Sequence, residues 1–433
     1  MSVELLNEKQ TLGYDLIVNQ GKNVYVGGPG GVGKSFLVDC IRDELAETAL
    51  FLAPTGIAAL NIMGATIHST FSLPLGVCTK YHRSKISSKL HSLLSDDLVR
   101  TIVIDEISMV RADVFQTLDE HCRLAKRKNV PFGGLQIVVV GDFCQLSPVL
   151  KTYGNEAEAF YDEGFTSPFA FSTDAWSAAN FQHIELDEII RQKDETMISN
   201  LQNIRKRTEN VFDSIKFFND KCFFKDKDED DVSDEATFLC TTNKNANQIN
   251  EEEYRLVEGK EKVYHGVVKG SFREEPAPRY LPLKVGTKVM ITANDETYFN
   301  GEIGYVAEMT DDYIDVAVDE NTIHRVKKYE WIEQEYIRDS SGRLGLKEKG
   351  KYSQFPLKHG YALTIHKSQG CTLDNAIIDL GYGAFAHGQT YVALSRVKTL
   401  KGVTLTKKII AKDIIFDQDV RDFYDGKYSN ILG

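Results

Sequence analysis

The sequence has no apolar run that approaches the ~20 residues needed to span a bilayer, so a membrane protein is not indicated. Its start carries neither the basic segment nor the apolar segment of a secretory signal. Cysteine is scarce, with seven residues, and no two of them form a C-x-x-C pair. An odd number of scattered cysteines indicates reduced core thiols rather than a disulfide framework. We therefore expect a cytoplasmic protein with no membrane partner.

An excess of basic charge is also absent. The chain of 433 residues has 51 Lys+Arg against 63 Asp+Glu, a net charge of -12. This balance argues against a protein that coats nucleic acid, which would be basic overall. It does not exclude a protein that grips nucleic acid in a cleft, because local charge sets the field there. Part of the acidity lies in residues 226–235, where seven of ten are Asp or Glu, and we expect a solvated loop there.

What the chain does have is apolar sequence in regular patterns. Hydrophobic residues make up 42%, enough for a sizeable core, which excludes wholesale disorder. Over the first ~190 residues, short strand patterns alternate with helical patterns and predict a parallel sheet covered by helices. The predicted strands are residues 23–26, 49–53, 101–104 and 136–140.

A second α/β pattern follows, and two segments differ from both. Residues 262–355 contain short alternating runs separated by turn residues such as Asn300-Gly301, which predicts a small antiparallel barrel. Residues 64–90 are polar and predict an insertion on the first region. The predicted domains are a first lobe (1–63 and 91–190), its insertion (64–90), a second lobe (191–261 and 356–433) and the barrel inserted in it (262–355).

Residues 28–35, GPGGVGKS, satisfy the phosphate-loop pattern G-x-x-x-x-G-K-[ST] between a predicted strand and a predicted helix, as that motif requires. Glycines let backbone N–H groups converge on phosphate oxygens, and the helix adds its positive N-terminal dipole. Lys34 would neutralise the β and γ phosphates, and Ser35 would ligate Mg²⁺. The ATP-binding residues predicted from this motif are Gly28, Gly30, Gly31, Gly33, Lys34 and Ser35.

Two further strands deliver polar residues to the same predicted sheet edge, because the carboxyl ends of parallel strands lie together. Asp105 would hold Mg²⁺, and Glu106 would act as general base for the attacking water. An acidic helix cap is the alternative interpretation of this pair. Gln145 would sense the γ-phosphate and the water through its amide.

Phosphoryl transfer also needs positive charge at the γ-phosphate, which arginine fingers supply. Arg191 and Arg396 are the candidates, and both fall in the predicted second lobe. A surface ion pair is the alternative role for each.

Taken together, these motifs resemble the Pif (petite integration frequency) family of superfamily 1B DNA helicases, of bacterial or phage type. The resemblance also rests on residues 53–61 and 64–69, on the 42-residue stretch from Asp105 to Leu146, and on residues 364–372 with 389–396. Together these stretches span about residues 10 to 405.

The resemblance implies an α/β fold of two RecA-like parallel-sheet lobes, with a wedge insertion on the first and a Src-homology-like β-barrel on the second. ATP would lie between the lobes. Gln10 would read adenine and Gly370 would contact ATP. The residues that fall in the family's DNA-contacting motifs are Thr55, Gly56, His68, Ser69, Thr364, His366 and Lys367. Phe71 is a further aromatic candidate for stacking on DNA bases.

The function so implied is an ATP-dependent 5′→3′ DNA helicase, monomeric without DNA, that uses Mg²⁺ and translocates on single-stranded DNA. Tailed or structured DNA, RNA–DNA hybrids and G-quadruplexes would be its substrates. A phosphotransferase and a nucleotide-gated binding switch remain as alternatives. The insertion, with Lys80, Tyr81, His82 and Arg83 at a basic, aromatic tip, would separate the strands.

Overall fold

The computed structural model describes residues 3–74, 76–95, 97–150, 155–226, 236–272, 275–319, 321–338 and 344–426. Nearly all of the predicted acidic loop at residues 226–235 lies outside them. Contacts divide the chain into two units. The first comprises residues 1–190, 333–349 and 417–433, and the second comprises residues 191–332 and 350–416. No helix in the described part of the chain is long and apolar enough to cross a membrane.

The described strands, in chain order, are β1 (Val24–Gly27), β2 (Ala49–Ala53), β3 (Ala65–Thr66), β4 (Thr101–Ile104), β5 (Gln136–Val140), β6 (Gln182–Glu185), β7 (Thr237–Cys240), β8 (Lys262–His265), β9 (Val267–Gly270), β10 (Tyr280–Leu283), β11 (Lys288–Ile291), β12 (Ile303–Met309), β13 (Tyr313–Ala317), β14 (Ile323–Lys327), β15 (Tyr329–Arg338), β16 (Leu344–Gln354), β17 (Leu357–His359), β18 (Ala362–Thr364), β19 (Ala376–Asp379) and β20 (Val403–Leu405).

The described α-helices are α1 (Glu8–Tyr14), α2 (Lys34–Leu45), α3 (Gly56–Asn61), α4 (Ile67–Phe71), α5 (Lys80–Arg83), α6 (Ser88–Leu94), α7 (Ala112–Lys126), α8 (Asn155–Asp162), α9 (Asp174–Ala179), α10 (Glu195–Lys206), α11 (Val211–Cys222), α12 (Asn243–Leu256), α13 (Gln389–Ser395) and α14 (Gln418–Tyr424).

The first unit is built on a six-stranded parallel sheet of order β3-β2-β4-β5-β1-β6. Strands β1, β2, β4 and β5 are almost wholly buried, which explains why they show as short continuous apolar runs in the sequence. Helix α2 packs its apolar face, including Leu37 and Ile41, into the core beside Val24 and Val138. Four of the six strands match the strands predicted from sequence within one residue.

The second unit contains a four-stranded parallel sheet of order β18-β7-β19-β20. It also contains a five-stranded antiparallel sheet of order β14-β13-β12-β11-β17, with smaller sheets of order β10-β8 and β15-β16-β9. The core of the antiparallel part includes Leu281, Val289, Ile314 and Phe355. An α/β lobe that carries an inserted antiparallel barrel was the sequence prediction for this region.

The C-terminal helix corrects the predicted division into domains. The sequence pattern placed residues 417–426 in the second lobe, but α14 groups with the first unit. Phe423 is almost fully buried there, and its ring lies 5.0 Å from that of Phe143 and 4.7 Å from that of Phe171. A helix of seven residues has too little sequence to reveal which sheet will cover its apolar side.

Residues 333–349 of β15 and β16 also depart from the predicted boundaries, because they group with the first unit rather than with the barrel. The Phe51 N–H donates to the hydroxyl of the buried Tyr336 over 2.9 Å, and Lys89 forms an ion pair with Glu335. Burial raises the pKa of Tyr336 to about 12, so the hydroxyl stays neutral at physiological pH.

The predicted insertion at residues 64–90 is more closely integrated than expected. Its first residues form β3, which pairs with β2 at the edge of the sheet. Phe71, expected as a possible base-stacking residue, is buried and stacks on His121. Arg83, expected at a basic tip, is buried and pairs with Glu163 at 3.0 Å. Tyr81 remains exposed.

We expect Phe423→Ala to destabilise the first unit by roughly 3–5 kcal/mol, because it removes a buried ring from an aromatic cluster. Urea unfolding followed by the fluorescence of Trp176, which contacts Phe423, would measure this. A Trp331→Phe background leaves Trp176 as the only indole. Gln418→Ala, on the exposed side of α14, is the control and should change stability by less than about 0.5 kcal/mol. Equal effects would contradict the packing of α14 described above.

Candidate functional site

The phosphate loop joins β1 to α2 at the carboxyl edge of the first sheet. Its glycines have backbone angles that other residues rarely adopt, with φ of 142° at Gly28, 85° at Gly31 and 80° at Gly33. At Gly28 a Cβ would lie 2.3 Å from the Leu186 carbonyl oxygen, so no larger residue fits without displacing backbone. Gly33 caps the N-terminus of α2, which directs the helix dipole at the loop.

Lys34 extends back over this loop. Its ammonium donates to the carbonyl oxygens of Gly28 and Pro29, each at 2.8 Å. This places a positive charge above the glycine backbone, where the phosphates of a nucleotide are neutralised in loops of this kind. Ser35 follows in the first turn of α2 and is exposed.

The acidic pair lies where β4 ends, as predicted. The Glu106 N–H donates to Oδ1 of Asp105 over 2.9 Å. Burial and the charge of Glu106 raise the pKa of Asp105 to about 7, and the charge of Lys34 opposes this rise. Glu106 has φ of 50°, a left-handed conformation that costs energy for a residue with a side chain. Such strain is typical of a residue whose position is fixed for function.

Gln145 follows β5, which lies between β4 and β1 in the sheet. The side chain is buried, and its amide lies within 3.4 Å of Oδ2 of Asp142. Asp142 also accepts from the Cys144 N–H at 3.0 Å, so it fixes the turn that presents Gln145. Asp142 was not among the residues predicted from sequence, although a Gly-Asp pair directly after a buried strand was the available signal.

Gln10 is buried beside the phosphate loop. Its amide nitrogen donates to the Gly33 carbonyl at 3.2 Å, and its Oε1 accepts from the Asn7 N–H at 2.9 Å. A Cβ at Gly33 would lie 2.5 Å from that amide nitrogen. Gln10 therefore lies against the phosphate loop, and its role in reading adenine stays a prediction.

Arg191 and Arg396 lie together in the second unit although 205 positions separate them in the sequence. Arg191 donates to the Ser395 carbonyl at 3.1 Å, and Arg396 donates to the Ser395 hydroxyl at 2.9 Å. Burial and the charge of Arg396 lower the pKa of Arg191 to about 10. The side-chain amide of the neighbouring Gln192 donates to the carbonyl oxygens of Ser395 and Val397, which fixes the backbone beside both arginines. Both arginines were predicted from sequence as finger candidates, whereas their proximity follows only from the fold.

The residues predicted to contact DNA fall in two groups. In the first unit, Thr55 caps α3, whose first residue is Gly56, and accepts from the Ala58 N–H at 3.2 Å. His68 and Ser69 lie in α4, and Ser69 is buried.

The second group follows β18 in the second unit. Thr364 is buried, and its hydroxyl accepts from the Lys367 N–H at 3.3 Å. The Lys367 side chain is exposed. Burial lowers the pKa of His366, which favours its neutral form. Gly370 has φ of 82° and an open surrounding.

These elements define a class: a nucleotide-hydrolysing P-loop enzyme, with the phosphate loop on β1, the acidic pair on β4 and a glutamine on β5. The comparisons with known proteins narrow that class. The model of PIF1-like helicases matches residues 5–220. The chain is 33% identical over 434 residues to the ATP-dependent DNA helicase Pif1 of Bdellovibrio bacteriovorus, which covers 97% of this chain and 91% of that relative.

Solved structures of Pif1 helicases are also similar to this chain. Unliganded Pif1 from Bacteroides sp. is 33% identical, with a TM-score of 0.86 over 98% of each chain. A Bacteroides Pif1 bound to single-stranded DNA is 34% identical, with a TM-score of 0.70 over 99% of this chain and 100% of that one. The chain belongs to the PIF1-like helicase family. The predictions of that family, of two RecA-like lobes and of an enzyme that is a DNA helicase are confirmed.

Glu106→Gln should leave ATP binding near normal and abolish most turnover, because the attacking water loses its base while the phosphate loop is untouched. Nucleotide titration and steady-state ATPase rates on the same preparation measure the two effects. Glu188→Gln, also in the first unit but after β6, serves as the control and should keep full turnover. Near-wild-type hydrolysis by Glu106→Gln would contradict the role of Glu106.

Proposed function

We propose that this chain uses ATP hydrolysis to translocate 5′→3′ on single-stranded DNA and to unwind duplexes, with RNA–DNA hybrids and G-quadruplexes as further substrates. The observation that carries the proposal is the meeting of Lys34, Asp105, Glu106 and Gln145 at one edge of the first sheet. Similarity over nearly the whole chain to ATP-dependent DNA helicases supports the nucleic-acid substrate. The direction and the further substrates rest on the family resemblance.

In hydrolysis, the loop glycines and Lys34 hold the phosphates, and Glu106 accepts a proton from the attacking water. Gln145 is oriented by Asp142 and positions that water through its amide. The serine hydroxyl of Ser35 and the carboxylate of Asp105 offer the hard oxygen ligands that Mg²⁺ prefers, and a cation there would favour the ionised form of Asp105. Bound Mg²⁺ would supply charge neutralisation at the β and γ phosphates.

The arginine pair supports the finger role. Arg396 is buried and its charge contributes to the lowered pKa of the partly buried Arg191, and two guanidinium groups this close favour a polyanion such as the transferred phosphate. Ser395 holds both arginines through its carbonyl and its hydroxyl. We propose that Arg191 and Arg396 act on the same ATP.

For DNA, we propose that hydroxyls and backbone N–H groups track the phosphate chain without reading bases. They belong to Thr55 and Gly56 in the first unit and to Thr364 and Lys367 in the second. The single-stranded DNA named for the Bacteroides relative supports that class of ligand. We further propose that the enzyme is a monomer in the absence of DNA.

The deciding experiment measures ATPase rate with and without single-stranded DNA, then unwinding of matched duplexes with a 5′ or a 3′ tail. We expect strong stimulation by single strands and unwinding from the 5′ tail. Equal ATPase rates would favour a phosphotransferase or a nucleotide-gated switch. Unwinding from the 3′ tail would overturn the direction.

Arg396→Ala should lower kcat by ~10³–10⁵-fold if Arg396 acts as a full finger, with little loss of ATP affinity, since the charge it meets develops in the transition state. If Arg191 shares the role, either single substitution will have a smaller effect. Nucleotide affinity and single-turnover hydrolysis separate the two effects. A change confined to KM would place Arg396 in ground-state binding.

The exposed tip of the 64–90 segment is the candidate strand separator. Tyr81 is 63% exposed, and the Lys85 ammonium lies 3.9 Å from the centre of its ring. Replacing residues 75–85 as a block would also remove the buried Arg83, which anchors the segment to Glu163. The sharper variant is therefore the double substitution Tyr81→Ala and Lys85→Ala.

This double variant should keep single-strand-stimulated ATPase and lose much of duplex unwinding, because stacking on a terminal base is worth ~1–3 kcal/mol per base. Both activities are measured on one preparation. Tyr161→Ala removes an equally exposed tyrosine of the first unit and should change neither activity. Full unwinding by the double variant would place the separating element elsewhere.

A further inference from the structure

An open groove with a volume of about 1080 Å³ lies in the first unit, at the amino edge of its six-stranded sheet. This amino-edge groove is lined by residues at the starts of β1, β2, β4, β5 and β6, among them Lys22, Thr48, Arg100, Leu135 and Phe181. The phosphate loop, the acidic pair and the glutamine after β5 all follow the carboxyl ends of strands, so they lie at the opposite edge. The hydrolysis reaction therefore does not use this groove.

The amino-edge groove is long enough for an extended peptide. The five strands that start along it are neighbours in the sheet, in the order β2-β4-β5-β1-β6. At a strand spacing of ~4.8 Å, the four intervals between them span roughly 19 Å. An extended chain rises ~3.3 Å per residue, so about six residues fit along the groove.

Much of the groove surface is apolar. Ile17, Leu135, Ala179 and Phe181 are buried residues that line it, and Val130 is 46% exposed beside them. Burial of apolar side chains is the main favourable contribution to most protein–peptide contacts. The groove therefore favours an occupant that carries side chains such as Leu, Ile or Phe.

The polar side chains of the groove already have partners within the protein. The Gln136 side-chain nitrogen donates to the carbonyl oxygens of Ile17 and Lys22, each at 2.8 Å. The Gln136 side-chain oxygen accepts from the Thr101 hydroxyl at 2.8 Å. The Asn23 side-chain nitrogen donates to a carbonyl oxygen just before β6 at 2.7 Å. These bonds fix the shape of the groove before anything binds, which lowers the entropy cost of binding.

The charge at the groove is positive. Among the described residues that line it, the charged ones are Lys22 and Arg100, and both are exposed. Arg100 donates to the backbone carbonyl of Asp97 at 3.3 Å, and within the described part of the chain neither cation forms an ion pair. Arg127 and Lys128, also exposed, follow α7 just before the lining residues of β5 begin. Exposed cations beside an apolar surface favour an occupant that is both acidic and apolar.

The two lining cations also set a spacing. Lys22 precedes β1 and Arg100 precedes β4, and β5 lies between these strands. Two strand intervals separate the cations by ~10 Å, which is about three residues of extended chain.

We propose that the amino-edge groove docks an extended peptide segment of a partner protein, with two carboxylates about three positions apart among apolar side chains. The carboxylates meet Lys22 and Arg100, and the apolar side chains cover Leu135 and Val130. Nucleic acid fits less well, because single strands stack on exposed aromatic rings, whereas the ring of Phe181 in this groove is only 8% exposed. This inference does not depend on the proposed function.

The first test selects random short peptides, displayed on phage, on the full chain, with counter-selection on the double variant Lys22→Glu and Arg100→Glu. Enriched sequences should combine Asp or Glu with Leu, Ile or Phe, because only such peptides satisfy both parts of the groove. Failure to enrich any sequence over the double variant would overturn the inference. Enrichment of basic sequences would do so as well.

The second test titrates a synthetic copy of the most enriched peptide by fluorescence anisotropy. Lys22→Glu and Arg100→Glu should each weaken binding roughly 5-fold or more, because an attraction becomes a repulsion. A peptide with Lys in place of its acidic residues should bind the double variant and not the wild type. Lys260→Glu makes the same change at an exposed lysine of the second unit and should leave both results as in the wild type. Loss of binding in the double variant without rescue by the Lys peptide would indicate a structural role for the two cations and contradict the docking site.

The third test separates this groove from the hydrolysis and DNA sites. ATPase rates with and without single-stranded DNA should be the same in the double variant and the wild type, because the groove and the phosphate loop lie at opposite edges of the sheet. Loss of single-strand affinity in the double variant, with no peptide selected, would identify a nucleic-acid surface and overturn the peptide assignment.

Discussion

The hydrolysis site depends on one constraint, the parallel pairing of β4, β5 and β1 at the centre of the first sheet. Val103 pairs with Val138 and Val138 with Val24, so the three strands end at a common edge. Each strand then delivers one polar element: the phosphate loop, the Asp105–Glu106 pair and Gln145. Because all three strands are buried on both faces, their register is fixed by core packing, and the distances within the site follow from it.

Close pairs of like charge lie at two of the places where this enzyme is expected to meet ATP and its cation. Glu106 contributes to the raised pKa of Asp105 at the sheet edge, and Arg396 contributes to the lowered pKa of Arg191 in the second unit. Within each pair the like charges repel each other in the ligand-free protein. A cation bound at Asp105 and Glu106, and phosphates bound at Arg191 and Arg396, would relieve this repulsion. Ligand binding would therefore stabilise the folded protein.

Unusual backbone conformations also lie in the predicted hydrolysis site. Glu106 has a left-handed conformation that glycine would adopt at less cost, yet the site places a carboxylate there. Gly28 shows the converse, since backbone of the loop approaches the Leu186 carbonyl too closely for any side chain. Both residues closely follow buried strands, whose packing holds these conformations in place.

The sequence alone determined the central strands within about one residue, the phosphate loop, the acidic pair and the family. These features are local: a buried strand is a short apolar run, and the loop needs glycine at fixed spacing. Tertiary structure decided those features that depend on contacts between residues far apart in the sequence. It joined Arg191 to Arg396 through Ser395, buried Phe71 and Arg83, and placed α14 and residues 333–349 with the first unit. No local pattern encodes these outcomes, because burial and charge pairing are set by residues that only the folded chain brings into contact.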